Sequence, residues 1–464
     1  MENKKVLATF FGTIFLGFLI LQLITTQGFG GNHSSLLSAL KNRFFTKEFH
    51  LAVVPNLSAR TVSIIDTKLN QETTRISLAD EPMDHVAMSP DGRYAYIGTE
   101  RRTGATPPSY ERIYKIDLNT KQSLGPLNSF PAPLQNRYFQ DRYIEDLEIS
   151  PNGKYLIAST WTPKIGTVAT VDVYVINPTN DTLISTFTFA VYNASYSRFA
   201  GVIAFSDNSR YAFFPITDPS SVTTIKVLDL TQGTIINELP IANWNQDNSF
   251  MGYDLKWQKP FLLALRHYSW SGVGYDQVRK YDSSQGYVYQ DVASIMTSVL
   301  IYQDIELLGD GKVAVSDNAY DPADYDSITI IDLRSNTTSL IPAEAEAAMH
   351  LTYDKRTNRI WAICSPPFVP GYFCDDLEPV TQAINVYDLN QMRKIKRVPA
   401  GTRFTFPSLS QDGSYFYAVD AVNDSVIVVN TETFQVSSIR VGDNPRGIYM
   451  QGPEGNKVKE VIGL

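Results

Sequence analysis

An all-β ring of four-stranded blades is the architecture this sequence predicts, and three observations carry it. A turn-plus-strand motif returns through the chain, as "SPDGRYAYIG" at Ser89, "SPNGKYLIAS" at Ser150 and "SDNSRYAFFP" at Ser206. A second strand type ends in Asp or Asn at Asp66, Asp117, Asn177, Asp229, Asp282, Asp332, Asp388 and Asn430, at intervals of 42 to 60 residues. No helical periodicity separates these segments. Repetition at that spacing, with about four strand-like segments per unit, marks a β-propeller, whose sheets bury both faces against their neighbours.

Each copy begins with turn-forming residues and runs into an alternating or fully apolar strand. Looser copies are "LGDGKVAVSD" at Leu308, "DKRTNRIWAI" at Asp354 and "SQDGSYFYAV" at Ser410, and "QKPFLLALRH" at Gln258 has a shortened turn. The repeat region starts on an apparent second strand, "FHLAVV", and finishes on an apparent first strand, "PRGIYMQ". That leftover pair predicts one blade shared between the two ends, closing the ring non-covalently. Seven internal blades plus the shared one make eight, or seven in all if one loose copy is only an insertion.

Ahead of the ring, "VLATFFGTIFLGFLILQLI" at residues 6–24 is apolar throughout and follows Lys4 and Lys5. As an N-terminal hydrophobic helix it would span about 28 Å, close to a bilayer's hydrocarbon core, with the lysines on the cytoplasmic side. A secretory signal peptide is the competing reading, because Gly28, Gly30 and Gly31 follow. The expected organisation is an anchor or signal peptide over 1–28, a linker over 29–47 and a propeller over 48–464. Either leader predicts an extracytoplasmic location, at the cell surface, secreted or periplasmic.

Composition agrees. Six N-x-S/T sequons, at Asn32, Asn56, Asn180, Asn193, Asn336 and Asn423, are candidate glycosylation sites of an exported glycoprotein. Cys364 and Cys374 are the only cysteines, and outside the cell a loop-closing disulfide is their simplest reading, with a free buried pair as the alternative. A net charge of −8 with no basic tract argues against nucleic acid as a partner.

The stretches "DSVIVVNTETFQVSSIRVGDNPRGIYM" and "TVSIIDTKLNQETTRISLADEP" resemble the repeat of the YVTN-type propellers. The likeness covers most of the chain from about Phe49 and is strong only at its two ends. It implies the propeller fold and commonly an exported location. Relatives of that kind include surface-layer proteins, lactonase-like propellers and the non-catalytic heavy chain of amine dehydrogenases. Function does not follow, because propellers host many.

One register position stands out. Four places before the turn residue of each first strand lie His85, Asp146, Val202, Asp254, Asp304, His350, Phe406 and Gly447. The YVTN-type repeat resembles a small residue there, yet five of these eight are Asp or His. Asp84, Glu145, Gln303 and Arg446 lie one place earlier. By fold analogy the column converges at the mouth of the central channel, with His85, Glu145, Asp146, Asp254, Asp304, His350 and Arg446 as its ligand-binding groups. Carboxylates so crowded repel unless a cation or a positive ligand neutralises them, which makes Asp146, Asp254 and Asp304 candidate ligands for a divalent cation such as calcium. The competing reading is structural: Asp or His at a strand's start caps neighbouring backbone groups.

Loops expected on the same face are long and aromatic, and Trp161, Trp244, Tyr268 and Trp270 are candidates for stacking on a sugar or a partner. Asp317, Asp321, Asp324 and Asp326 crowd one of them without EF-hand order. No nucleophile elbow, zinc-protease helix, phosphate loop or haem-attachment motif occurs, so the catalytic residues are unassigned. Three functions follow as expectations. The first is an exported binding propeller presenting its loop-rich face to a cell-surface ligand, glycan or protein. The second is a metal-assisted, lactonase- or esterase-like hydrolase using the Asp/His ring. The third is a non-catalytic propeller subunit of a periplasmic redox complex.

Overall fold

The computed structural model describes residues 49–100, 110–131, 143–162, 168–192, 202–243, 249–270, 273–297, 304–316, 327–342, 347–365, 383–399 and 404–451. These form eight four-stranded antiparallel sheets. Seven are runs of four consecutive strands, which we number as the second to eighth blades. They cover residues 81–126, 143–192, 204–243, 249–297, 305–342, 347–399 and 404–440. The first blade has the strand order Gln71–Ser77, Thr61–Asp66, Leu51–Asn56, Tyr449–Met450, so both ends of the ring supply it. The eight-bladed count holds, and no repeat is an insertion.

Ring closure rests on hydrogen bonds and packing. Ala52 pairs with Met450 and Val53 with Tyr449. Beyond them, the Gln451 side-chain oxygen accepts from the backbone N–H groups of His50 and Leu51, each at 3.2 Å. Its amide donates to the Gly92 carbonyl in the second blade.

The apolar strands are explained by double-sided burial. Ala95 and Ile97 pack with the first blade, whereas Tyr96 between them packs with the third. Ala212 and Phe214 likewise face the third blade, and Phe213 faces the fifth. Successive side chains of a strand point to opposite sheet faces, so two apolar parities mean two apolar interfaces. Trp361, fully buried, stacks on Phe416 of the next blade with centroids 5.1 Å apart.

Both repeated signatures are turn devices. In the Ser-x-Asp/Asn turn, Ser89 Oγ donates to Asp91 at 2.6 Å and accepts from Tyr94 N at 2.7 Å. The same pair of bonds recurs around Ser150, Ser206 and Ser410. The Asp or Asn ending each third strand accepts from the backbone N–H two residues on, and in six of the eight also from the one three residues on. Asp117 takes Asn119 and Thr120 in this way, and Asn430 takes Glu432 and Thr433. Such Asx turns need no longer connection, which is why this side of the ring is so economical.

Candidate functional site

The innermost strand of each blade exposes one edge to the central channel, and that edge carries backbone N–H groups with no strand to pair with. The Asp column answers this need. Asp146 sends Oδ2 to Ile203 N of the fourth blade at 2.6 Å, and its Oδ1 takes the N–H of Leu147 at 2.8 Å. Asp254 repeats the pattern with Ile305 N at 2.9 Å and Leu255 N at 2.8 Å. Asp304 accepts from Leu351 N at 2.8 Å. In each case the acceptor column residue clasps the residue just after the column position in the next blade. Glu306, two residues further along, makes an equivalent clasp to Tyr353 N at 2.9 Å. The column therefore has a structural role.

Backbone irregularity aims these groups. The pairing of inner and second strands shifts register between Ile144 and Asp146, between Met251 and Leu255, and between Ala348 and His350. Similar shifts occur between Pro82 and Val86 and between Thr405 and Ser408. A bulge at this point turns a side chain away from the sheet face it would otherwise join.

The geometry gives these aspartates a further task beside the expected cation site. Among the described residues no three His, Cys, Asp or Glu side chains gather as a metal would require. Asp146, Asp254 and Asp304 serve three separate blade junctions, each with an oxygen given to a backbone amide. His85 is buried against Gly98, whose missing Cβ would lie 3.0 Å from the His85 Cβ. Glu145 is buried within the third-blade bulge. Arg446 ties the closing segment to the first blade through its backbone N–H, 2.9 Å from the Pro55 carbonyl.

What the column does bring together is a charged cluster across the fifth, sixth and seventh blades. The buried Lys256 ammonium stands 3.4 Å from Asp254 Oδ2. Burial alone would lower its pKa, but the carboxylates of Asp254, Asp304 and Glu306 outweigh that and raise it. Asp304 is pushed up to about 8: burial is the main cause, Lys256 opposes it, and Asp254 and Glu306 add to it. Burial holds the His350 imidazole down at about 4, so it is neutral at pH 7. Sequence reasoning named Asp254, Asp304 and His350 but missed Lys256 and Glu306. Both lie two residues after a column position, so strand alternation puts them on the same side, and that signal was available.

This cluster borders a cavity of about 1040 Å³. Asp304, Glu306 and His350 line it toward the column end, and Asp354 and Asp412 line it toward the turn end. Trp257 forms part of its wall and stacks on Phe213, with centroids 5.2 Å apart and planes 11° apart. A compartment of this size, with aromatic walls and a few convergent charged groups, suits a small molecule.

The remaining sequence candidates are placed as follows. Trp161 lies in the strand Leu156–Thr162 and packs at the junction of the third and fourth blades. Asn56 is fully buried, its amide donating to Thr61 and Ser63, and so is no surface acceptor in the folded chain. Asn180 and Asn423 are exposed, whereas Asn336 accepts from Lys280 Nζ at 2.6 Å. Cys364 is buried. Cys374, Asn32, Asn193, Trp244, Gln303, the four-aspartate loop and residues 1–48 lie outside the described residues, as do most of the long aromatic loops and the side chains of Asp84, Tyr268 and Trp270. Among the described residues no helix is long and apolar enough to cross a membrane.

No family model matches the chain, and no curated protein matches it. Solved structures do. The chain is similar to the dihydro-heme d1 dehydrogenase NirN, solved in complex with DHE, at 15% identity over 90% of this chain and 78% of that one, TM-score 0.55. It is similar to AztD of Citrobacter koseri at 11% identity over 86% and 96% of the two chains, TM-score 0.50. It is also similar to prolyl oligopeptidase B of Galerina marginata at 13% identity over 77% of this chain and 49% of that one, TM-score 0.50. At such identities the likeness is one of fold, and the class it defines is the β-propeller.

Proposed function

We propose that this protein is an extracytoplasmic β-propeller, tethered to a membrane through residues 6–24, that binds a small ligand in the cavity between the inner strands of its fifth to eighth blades. The cavity itself carries the reading: about 1040 Å³ of space lies beside buried ionisable groups that the fold brings together from separate blades. The location rests on the apolar run and its flanking lysines, and on exposed sequons such as Asn180 and Asn423. A glycan or protein held by the loop-rich face, a metal-assisted hydrolase and a redox-complex subunit are the readings that experiment should separate from it.

The decisive measurement is thermal stabilisation of the full-length chain, in detergent, across a small-molecule library and a panel of esters and lactones. The expected outcome is saturable stabilisation that Trp257→Ala weakens, with no turnover. Hydrolysis of an ester, or a library without a single saturable hit, overturns the reading. Protease added outside intact cells should reach the propeller, and protection there would overturn the location.

A further inference from the structure

Every blade of the ring ends on an outer strand whose far edge no described strand covers. Such edges invite pairing with another chain, and proteins ordinarily blunt them with charge, proline, a bulge or shortness. Seven of the eight outer strands are only five to ten residues long and carry a charged residue or a proline, from Glu72 and Arg75 in the first blade to Arg440 in the eighth. The third blade differs. Its outer strand, Thr182–Tyr192, runs 11 residues, "TLISTFTFAVY", with no charge, proline or glycine. Its bulge lies at the start, and from Ser185 to Tyr192 it pairs with the third strand in unbroken register.

Hydrogen-bond parity fixes what that edge presents. Ser150 N donates to Tyr155 O, so odd-numbered residues of the second strand turn their peptide groups toward the first strand and even-numbered ones toward the third. Carried across the pairs Leu156–Ile176 and Val173–Phe187, the alternation points the N–H and C=O groups of Thr186, Thr188, Ala190 and Tyr192 outward. The side chains of Thr186, Thr188 and Ala190 are exposed. Phe187 and Phe189, on the opposite sheet face, are half-buried at the junction with the fourth blade.

We propose that this edge binds a second copy of the chain, the two outer strands lying antiparallel about a two-fold axis. The occupant follows from self-complementarity. An antiparallel pair of one strand with itself matches outward N–H to outward C=O, and it closes as a dimer with both edges covered. With Thr188 opposite Ala190 of the second copy, Phe189 falls on the axis beside Phe189 of the second copy, α-carbons about 4.5 Å apart. The exposed remainder of each ring then gains an aromatic neighbour on the same sheet face. Charge favours the same place. Each chain carries −8 overall, so two copies meet at least electrostatic cost along an uncharged strand. The stretch from Ser185 to Tyr192 extends about 27 Å, a small interface, so the dimer should form in a concentration-dependent manner.

Sedimentation equilibrium of the full-length chain in density-matched detergent, with amide hydrogen exchange at low and high protein concentration, tests this. A monomer–dimer equilibrium is expected, with exchange over residues 185–192 slowing as the dimer fills. Ala190→Pro removes an outward N–H and leaves the blade's own ladder alone, so dimer dissociation should rise at least about tenfold. Ala190→Lys keeps that N–H but places ammonium groups on both sides of the axis. It should weaken the dimer similarly, and it covers the case in which the proline variant does not fold. Leu340→Lys, at an exposed position of the sixth-blade outer strand, should leave the equilibrium unchanged. A dimer indifferent to both Ala190 substitutions places the contact elsewhere, residues 6–24 included, and overturns the assignment. So does a monomer at every concentration, and slowed exchange only on adding cell extract would then give the edge to a strand of another protein.

Discussion

Asp146 and Asp254 perform the same backbone task in unlike surroundings. Each accepts from its own following N–H and from the inner edge of the next blade. Opposite Asp146 the fourth blade offers Val202 and Ala204, both buried and apolar. Opposite Asp254 the sixth blade offers Asp304 and Glu306, with Lys256 brought in against the crowd. The first junction buries the Glu148 carboxylate at the place that Lys256 takes in the second, and the second borders the cavity. A clasp repeated by the fold borders a candidate binding site where an ammonium and carboxylates of separate blades meet beside open space.

Removing one partner at each junction should separate these cases. Asp254→Ala leaves Lys256 buried with less counter-charge, and a loss of about 3–5 kcal/mol is expected on chemical denaturation. Replacing both groups with apolar residues of similar volume should recover most of that loss, since the desolvation cost of the pair goes with it. Asp146→Ala leaves the Ile203 N–H without this acceptor and should cost about 1–3 kcal/mol. Equal losses at both sites would erase the contrast.

The pH dependence of stability sharpens it. Asp304 binds its proton up to about 8 in the folded chain against 3.8 as its ordinary value, so that contribution is present at low pH and is lost as pH rises. His350 works in the opposite sense: held neutral down to about 4 against an ordinary 6.5, its contribution is present above 6.5 and lost as pH falls. The two oppose each other between about 4 and 6.5, and of this pair the Asp304 slope alone continues from 6.5 to 8. Thermal melting temperature should therefore fall over that upper window in the wild type and flatten there in Asp304→Asn, whereas Asp146→Asn should leave the slope in place. The smallest effect belongs to the turns: Asn430→Ala removes two Asx bonds and should cost about 1 kcal/mol.

Strands and turns were readable from one chain because each depends on neighbours close in sequence, whereas ring size was narrowed to eight, or seven. An Asp ending a third strand caps N–H groups two and three residues away, and a Ser opening a turn bonds within five. Ring closure was readable too, because the leftover first strand has one place to go. The column was visible as a register and its purpose was not. Asp146 meets Ile203, 57 residues on, through a backbone amide that carries no mark in the sequence. Nor did the sequence show that Asp146, Asp254 and Asp304 each give an oxygen to main chain of the next blade.

By itself, then, the sequence determined a cycle of sheets with eight members favoured over seven, its local turns and its non-covalent closure, since alternation and short-range hydrogen bonds act over a few residues. Tertiary structure alone decided which carboxylates brace and which border open space. That choice depends on bulges at the inner strands and on what the adjacent blade presents, distances set by packing between segments about fifty residues apart.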